Sequence, residues 1–238
     1  MSQAKVYHYT SLPNAGMILG NCRQPGYRPG LEPHLGVKST PPLEITRASF
    51  ALLEPVPKSW TNNLFFPGVW NFLKERINAE GPAPILLEVS IDTQSNKVFV
   101  ADWAHMEAAS KAALYSSPLA IPSRYSHTNI QEAKQAYINS MIPIDEYLQG
   151  KMHGEVTHSI PEVLILEHLS RENIHVSTIQ PLLEENLAWA RKWGEDKYQE
   201  IASLILLGYI AKELMPWRKS YEAKYGPLEL IGRSKEGL

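Results

Sequence analysis

The chain is poor in the residues and runs that identify several large classes of protein. Cys22 is the single cysteine among 238 residues, which excludes an internal disulfide framework and a cysteine-rich zinc site. No apolar run approaches the ~18 residues that a membrane-spanning helix needs, and the first five residues lead into no apolar signal-peptide core. We therefore expect a cytoplasmic protein in a reducing compartment, with no membrane segment.

An excess of charge and familiar catalytic motifs are also missing. The formal net charge is -2, which argues against a protein that coats nucleic acid but does not exclude a local basic cleft. No phosphate-binding loop, Rossmann glycine pattern or Gly-x-Ser-x-Gly turn occurs. His153, Glu155 and His158 are the closest set of metal-ligating types, but they form no His-Glu-x-x-His pattern, so we expect no metal.

What is present is a series of short apolar segments between proline-rich loops, which predicts an α+β fold. Predicted strands cover 5–10, 47–53, 85–91, 97–100, 161–166 and 174–179, the last two paired with each other. Predicted helices cover 11–19, 58–60, 69–78, 103–114 and 129–140, and a long loop covers 22–43. From residue 181 the period is helical, so we expect a strand-rich core over 1–179 and a helical extension over 180–238.

Two of the predicted strands carry polar residues at their ends. The first ends in His8-Tyr9-Thr10, a His-x-Thr pattern, and the late strand opens with Glu162 before a run of apolar residues. An acid inside an apolar run is costly to bury unless it is hydrogen-bonded or needed for chemistry. Glu162 is therefore the sharpest candidate for a functional residue, with a solvent-facing edge acid as its plain alternative.

In their order along the chain, these features resemble the ADP-ribosyltransferases, most closely the His-Tyr-Glu class of diphtheria-type toxins, poly(ADP-ribose) polymerases and DarT toxins. The resemblance spans residues 5 to about 179 and implies a core of two short packed mixed or antiparallel sheets with flanking helices. It also implies NAD as a consumed substrate. Glu162 would stabilise the oxocarbenium ion, and His8 would hold a ribose hydroxyl, with Tyr9 and Thr10 lining the nicotinamide site. The family has Gly where this chain has Tyr9, which would narrow the pocket.

A second group of residues follows from the same resemblance. Phe50 and Trp60 would stack on the two faces of the nicotinamide ring, and Ser59 would bond its carboxamide, since a flat cationic ring favours aromatic faces. Arg47, by its position three residues before Phe50, would meet the pyrophosphate or help the acceptor react, because a guanidinium pairs well with phosphate. The plain alternatives are a satisfied histidine at a strand end, two core aromatic residues and an arginine in a surface salt bridge.

The resemblance implies a mono-ADP-ribosyltransferase that acts as a bacterial toxin or effector on a macromolecular acceptor. Arginine-specific members carry Glu or Gln where this chain has Ile160, so a protein side chain other than arginine is favoured. The alternative is a DarT-like enzyme that modifies a base in single-stranded DNA, held by Arg23, Arg28, Lys38 and Arg47. A non-enzymatic binding or immunity protein on a degenerate transferase fold is a third interpretation, and a tRNA 2'-phosphotransferase is a weaker fourth. A cognate antitoxin is a further partner that the toxin interpretation allows.

Overall fold

The computed structural model describes residues 2–20, 22–23, 28–33, 47–80, 84–109, 120–151, 157–177, 181–182 and 229–230. They form an α+β fold, which confirms the predicted class at this level. The chain divides into two compact units, each made of alternating stretches. The first unit holds Met1–Tyr7, Glu32–Lys74 and Ser90–His168, and the second holds His8–Leu31, Glu75–Val89 and Leu169–Leu238.

The elements within the described ranges are short. The strands are β1 (Gln3–Ser11), β2 (Cys22–Arg23), β3 (Ser49–Ala51), β4 (Pro84–Asp92), β5 (Val98–Asp102), β6 (Ile142–Pro143), β7 (Pro161–Ile165), β8 (Ile174–Val176) and β9 (Glu229–Leu230). The α-helices are α1 (Leu12–Ile18), α2 (Lys58–Thr61), α3 (Val69–Glu80), α4 (Ala104–Ala108), α5 (Ile130–Asn139) and α6 (Ile144–Leu148). Two 3-10 turns lie at Ser123–Tyr125 and Arg171–Asn173.

The first unit contains a four-stranded sheet in the order β3-β7-β5-β6. Strand β7 pairs antiparallel with both β3 and β5, and all five of its residues are buried. A strand flanked on both sides and covered on both faces is expected to read as an unbroken apolar run, and β7 does so except at Glu162. The sheet therefore places this acid on an inner strand and not on an edge strand.

The second unit contains the C-terminal half of β1, helix α1 and the pairing of β4 with β8. Helix α1 ends where the sequence predicts, because Gly20 adopts a φ of 72°, a conformation that L side chains rarely adopt. Ser11 occupies the N-cap position, but its buried hydroxyl makes no capping bond. Helix α1 therefore depends on its C-terminal stop and on burial more than on its N-cap.

Some predicted elements are wrong. Strands β7 and β8 are not paired with each other: β7 lies between β3 and β5, whereas β8 pairs with β4. The physical reason is burial, since a fully buried strand such as β7 needs two neighbours, while β8, with His175 exposed, suits a sheet edge. Residues 22–23, expected in a loop, form β2 and pair with β9. A helix was predicted over 103–114, and among its described residues only those of α4 are helical.

Most of the predicted helical extension over 180–238 lies outside the described residues, so the extension and the division at 179 stay predictions. In the described part of the chain, none of the helices combines the length and the apolar character that a bilayer crossing requires.

Candidate active site

Glu162, the second residue of β7, is a buried acid in the middle of a sheet. It pairs with Ala101 of β5 and is only 3% exposed, so it is not the solvent-facing edge acid of the plain alternative. Its Oε2 accepts a hydrogen bond of 2.7 Å from the Tyr137 hydroxyl. A buried carboxylate needs such a donor, because desolvation without one is costly.

Helix α5 brings Tyr137 to this position. The Asn129 side chain caps the helix by accepting from the backbone N–H of Gln131 and Glu132, each at 3.0 Å. The ring of Tyr137 packs in a hydrophobic cluster with Ala101 and Leu164, and it meets the Trp103 ring edge-on at 5.8 Å. The cap and the packing together fix the direction from which the hydroxyl approaches Glu162.

A second buried carboxylate, Asp102 at the end of β5, holds the segment that leads into β7. Its Oδ1 accepts from the backbone N–H of Ala104 and Ile160, at 3.1 and 2.9 Å. Its Oδ2 accepts from the Ser159 N–H at 3.0 Å and from the Tyr125 hydroxyl at 2.7 Å. Asp102 is 2% exposed, so these four donors replace the water it has lost. The backbone immediately before Glu162 is thereby tied to β5.

Helix α2 supports the same segment from another side. The Trp60 indole N–H donates to the Pro161 carbonyl at 2.9 Å, and the Asn63 amide donates to the carbonyls of Ser59 and Ser159, each at 3.0 Å. Trp60 is 1% exposed. In this arrangement the Trp60 side chain supports the start of β7, as expected of a core residue, and its stacking on nicotinamide stays a prediction.

Phe50 of β3 shares a sheet face with Glu162. It pairs with Leu164, which lies two residues after Glu162, and residues two apart on a strand point to the same side. Diagonal neighbours of this kind are typically ~7–8 Å apart. Phe50 is half-buried against the hydrophobic cluster that contains Tyr137. Arg47, three residues earlier, is exposed.

The first unit thus contains five of the predicted site residues, namely Arg47, Phe50, Ser59, Trp60 and Glu162. The other three, His8, Tyr9 and Thr10, belong to the second unit, where they occupy consecutive positions of β1 and are 8%, 7% and 2% exposed. His8 and Tyr9 make interactions of their own. The roles of all eight residues toward NAD stay predictions.

Near Asp102, two histidines meet. His105 Nδ1 and His127 Nε2 are 3.0 Å apart, and the His105 ring packs edge-on against Tyr125 at 4.9 Å. Burial is the main cause that lowers the pKa of His105 to about 4, and nearby positive groups including Arg124 act in the same direction, while Asp102 opposes them. His105 is therefore neutral at pH 7.

Elsewhere in this unit, burial raises the pKa of Glu107.

Across the described residues, no three side chains of His, Cys, Asp or Glu converge in a way that could hold a metal ion. Of the set 153, 155 and 158, only His158 is described, and its Nε2 lies 2.8 Å from the Ser140 carbonyl.

Sequence reasoning missed three residues that shape this site: Tyr137, Asp102 and Asn63. Asp102 carried a usable signal, since it is an acid directly after the apolar strand residues Val98–Ala101. Tyr137 lies in a helical pattern that predicts only a core position, and Asn63 follows a second asparagine, Asn62, from which the sequence does not distinguish it. Each of these two residues has its partner in β7, or in the segment before β7, far away in sequence, so no local pattern identifies that contact.

No protein-family model, no curated protein and no solved structure matches this chain.

Proposed function

We propose that this chain is a mono-ADP-ribosyltransferase that cleaves NAD and transfers ADP-ribose to a macromolecular acceptor. The observation that carries the proposal is Glu162, a carboxylate buried in the central strand of a sheet and bonded by Tyr137 at 2.7 Å. Acids at such positions are rare unless they are paired or serve chemistry. The order of His8-x-Thr10, Phe50, Ser59 and Glu162 along the chain supports the same activity through its family resemblance.

The reaction needs a negative group close to the sugar. The bond between C1' of the ribose and the nicotinamide nitrogen breaks, and its electron pair leaves with nicotinamide. The ribose then carries positive charge, which a fixed carboxylate stabilises, as in glycoside cleavage. A nucleophile of the acceptor bonds to C1' and releases its proton. Glu162 would supply the carboxylate, and Phe50, on the same sheet face, would contact the nicotinamide ring.

The acceptor that fits this chain best is a protein side chain other than arginine. Ile160 stands where arginine-specific transferases carry Glu or Gln, and its apolar side chain offers no polar group that could bind an arginine. The net charge of -2 gives no general attraction to nucleic acid. Single-stranded DNA remains the alternative acceptor that the experiment below must distinguish.

Nicotinamide release from NAD tests the proposal directly. We expect release by the wild type, alone or with lysate, and a loss of at least ~100-fold in Glu162→Gln, since removing a charge that stabilises the transition state typically has effects of this size. Glu107→Gln is the matched control, because Glu107 is another buried acid, 7% exposed, on a different element. It should keep activity.

Labelled NAD identifies the acceptor. Label in lysate protein supports the proposed acceptor class, whereas label in an added single-stranded oligonucleotide, with binding that weakens steeply with salt, supports the DNA alternative. If folded wild type releases no nicotinamide in any mixture, or if Glu162→Gln is as active as the wild type, the transferase proposal is wrong. The degenerate binding protein then becomes the better interpretation.

A further inference from the structure

The helix that covers the Glu162 face of the sheet contributes a residue to the proposed site that no sequence motif indicates. We propose that Tyr137 of α5 is a positioning residue, which holds the Glu162 carboxylate in the orientation required for NAD cleavage. This inference rests on the proposed function. It adds a named group, the Tyr137 hydroxyl, that acts on the reaction through Glu162 and not by touching NAD.

The geometry of the contact supports this role. The hydroxyl donates to Oε2 at 2.7 Å, and both side chains are 3% exposed, so water does not compete for the bond. An O–H group that donates to an ionised carboxylate makes one of the stronger hydrogen bonds in proteins. A glutamate side chain has three rotatable bonds, and fixing one of its oxygens removes much of that freedom before substrate arrives.

The donor itself is rigidly held. The Tyr137 ring packs edge-on against Trp103 at an interplanar angle of 87° and lies in the same cluster as Ala101 and Leu164, the residues beside Glu162 in the sheet. The last turn of α5 is also anchored, since the Ser140 hydroxyl accepts from the Asp102 N–H at 2.8 Å. Helix and sheet are therefore bonded to each other beside Glu162, and these contacts hold the hydroxyl next to the carboxylate.

The same unit contains a matched control. The Tyr125 hydroxyl donates to Asp102, also at 2.7 Å, and Tyr125 is 1% exposed. Asp102 keeps three backbone donors when this bond is removed, so the segment before β7 stays in place. Tyr125→Phe thus deletes a bond of the same chemistry, length and burial without changing the donor to Glu162.

The experiment compares steady-state nicotinamide release by the wild type, Tyr137→Phe, Tyr125→Phe, Glu162→Gln and the Tyr137→Phe/Glu162→Gln double variant. We expect kcat of Tyr137→Phe to fall about 10- to 100-fold, the effect of losing one hydrogen bond to a charged group. The KM for NAD should stay within about 2-fold, because the bond acts on the transition state and not on binding. Tyr125→Phe should keep its kcat, and the double variant should be no worse than Glu162→Gln, since both changes act through one carboxylate.

Each other outcome contradicts a specific claim. If the wild type is active, Glu162→Gln is inactive and Tyr137→Phe is fully active, the positioning role is refuted and the transferase proposal stands. An equal fall in Tyr125→Phe shows general loosening of the unit and also refutes it. If folded wild type releases no nicotinamide, the transferase proposal fails and the role of Tyr137 fails with it. Circular dichroism and urea unfolding of each variant establish that the compared proteins are folded.

Discussion

Neutralising Asp102 is the most direct test of how the start of β7 is held. In Asp102→Asn one carboxylate oxygen becomes an amide that donates, so it cannot accept from the two donors it faces. Either Ala104 and Ile160 or Ser159 and Tyr125 then lose their acceptor, depending on how the amide is turned. These groups lie around a side chain that is 2% exposed, where water cannot replace the lost bonds.

The magnitude follows from that count. Hydrogen bonds to a charged acceptor contribute ~1.5–3 kcal/mol each, so two of them correspond to about 3–6 kcal/mol. Removing a buried charge regains part of this as relief from desolvation, which brings the expected loss in the free energy of unfolding to about 3–5 kcal/mol. Domains are stable by ~5–15 kcal/mol, so most of the protein should still fold in the absence of denaturant.

Urea unfolding, followed by tryptophan fluorescence, measures the loss. With a slope of ~1–3 kcal/mol per molar urea, a loss of about 3–5 kcal/mol should lower the midpoint of Asp102→Asn by about 1–5 M at unchanged slope. Glu107→Gln is the control, because burial already raises the pKa of Glu107 and disfavours its charge. Its midpoint should move little. A loss below about 1 kcal/mol in Asp102→Asn, or one equal to the control, would refute the view that this carboxylate anchors the segment.

Two further predictions concern the surroundings of the site. Burial holds the pKa of His105 at about 4, below its usual 6.5, so the unfolded chain binds a proton that the folded chain does not as the pH falls from 6.5 to 4. The free energy of unfolding should therefore decrease by about 1–2 kcal/mol as the pH falls through this window, a figure reduced for the partial exposure of the ring. Urea titrations at several pH values measure this decrease, which should be smaller in His105→Gln. The same decrease in the variant as in the wild type would contradict the lowered pKa of His105. Asn63→Ala removes the amide that bonds the carbonyls of Ser59 and Ser159 and should lower the unfolding free energy by about 2–4 kcal/mol. The exposed neighbour Asn62→Ala should stay within about 0.5 kcal/mol, and equal losses in the two variants would show that the amide bonds are not the cause.

The apolar strands could be predicted from the sequence because buried strands are rich in apolar residues. The predicted strand over 85–91 lies inside β4, where six of nine residues are buried, and that over 161–166 covers β7, which is wholly buried. Strand pairing does not affect composition in this way. The predicted partner of β7 was wrong because an apolar run indicates that a strand is buried but not which strands lie beside it. Strand β6 has two residues and helix α6 has five, too few for any period to develop.

The candidate site could be predicted in part, for a similar reason. Glu162 stands out locally as an acid against an apolar background, and the sheet places Phe50 on its face. Tyr137 could not be predicted, because a tyrosine at a helical core position and a tyrosine that donates to a carboxylate look alike in sequence. The difference lies in where α5 packs, which depends on contacts far apart along the chain.

Glu162 and Asp102 are both buried carboxylates bonded by a tyrosine at 2.7 Å, yet they should respond to neutralisation in opposite ways. Asp102 accepts from three backbone N–H groups as well, so the fold depends on its charge. The glutamine oxygen of Glu162→Gln can still accept from Tyr137, and a residue kept for chemistry often costs the protein stability. We therefore expect Glu162→Gln to keep or gain stability while it loses NAD cleavage, measured by urea unfolding beside nicotinamide release. A loss of stability as large as that of Asp102→Asn would place Glu162 among the structural acids, and its burial would then no longer support a catalytic role.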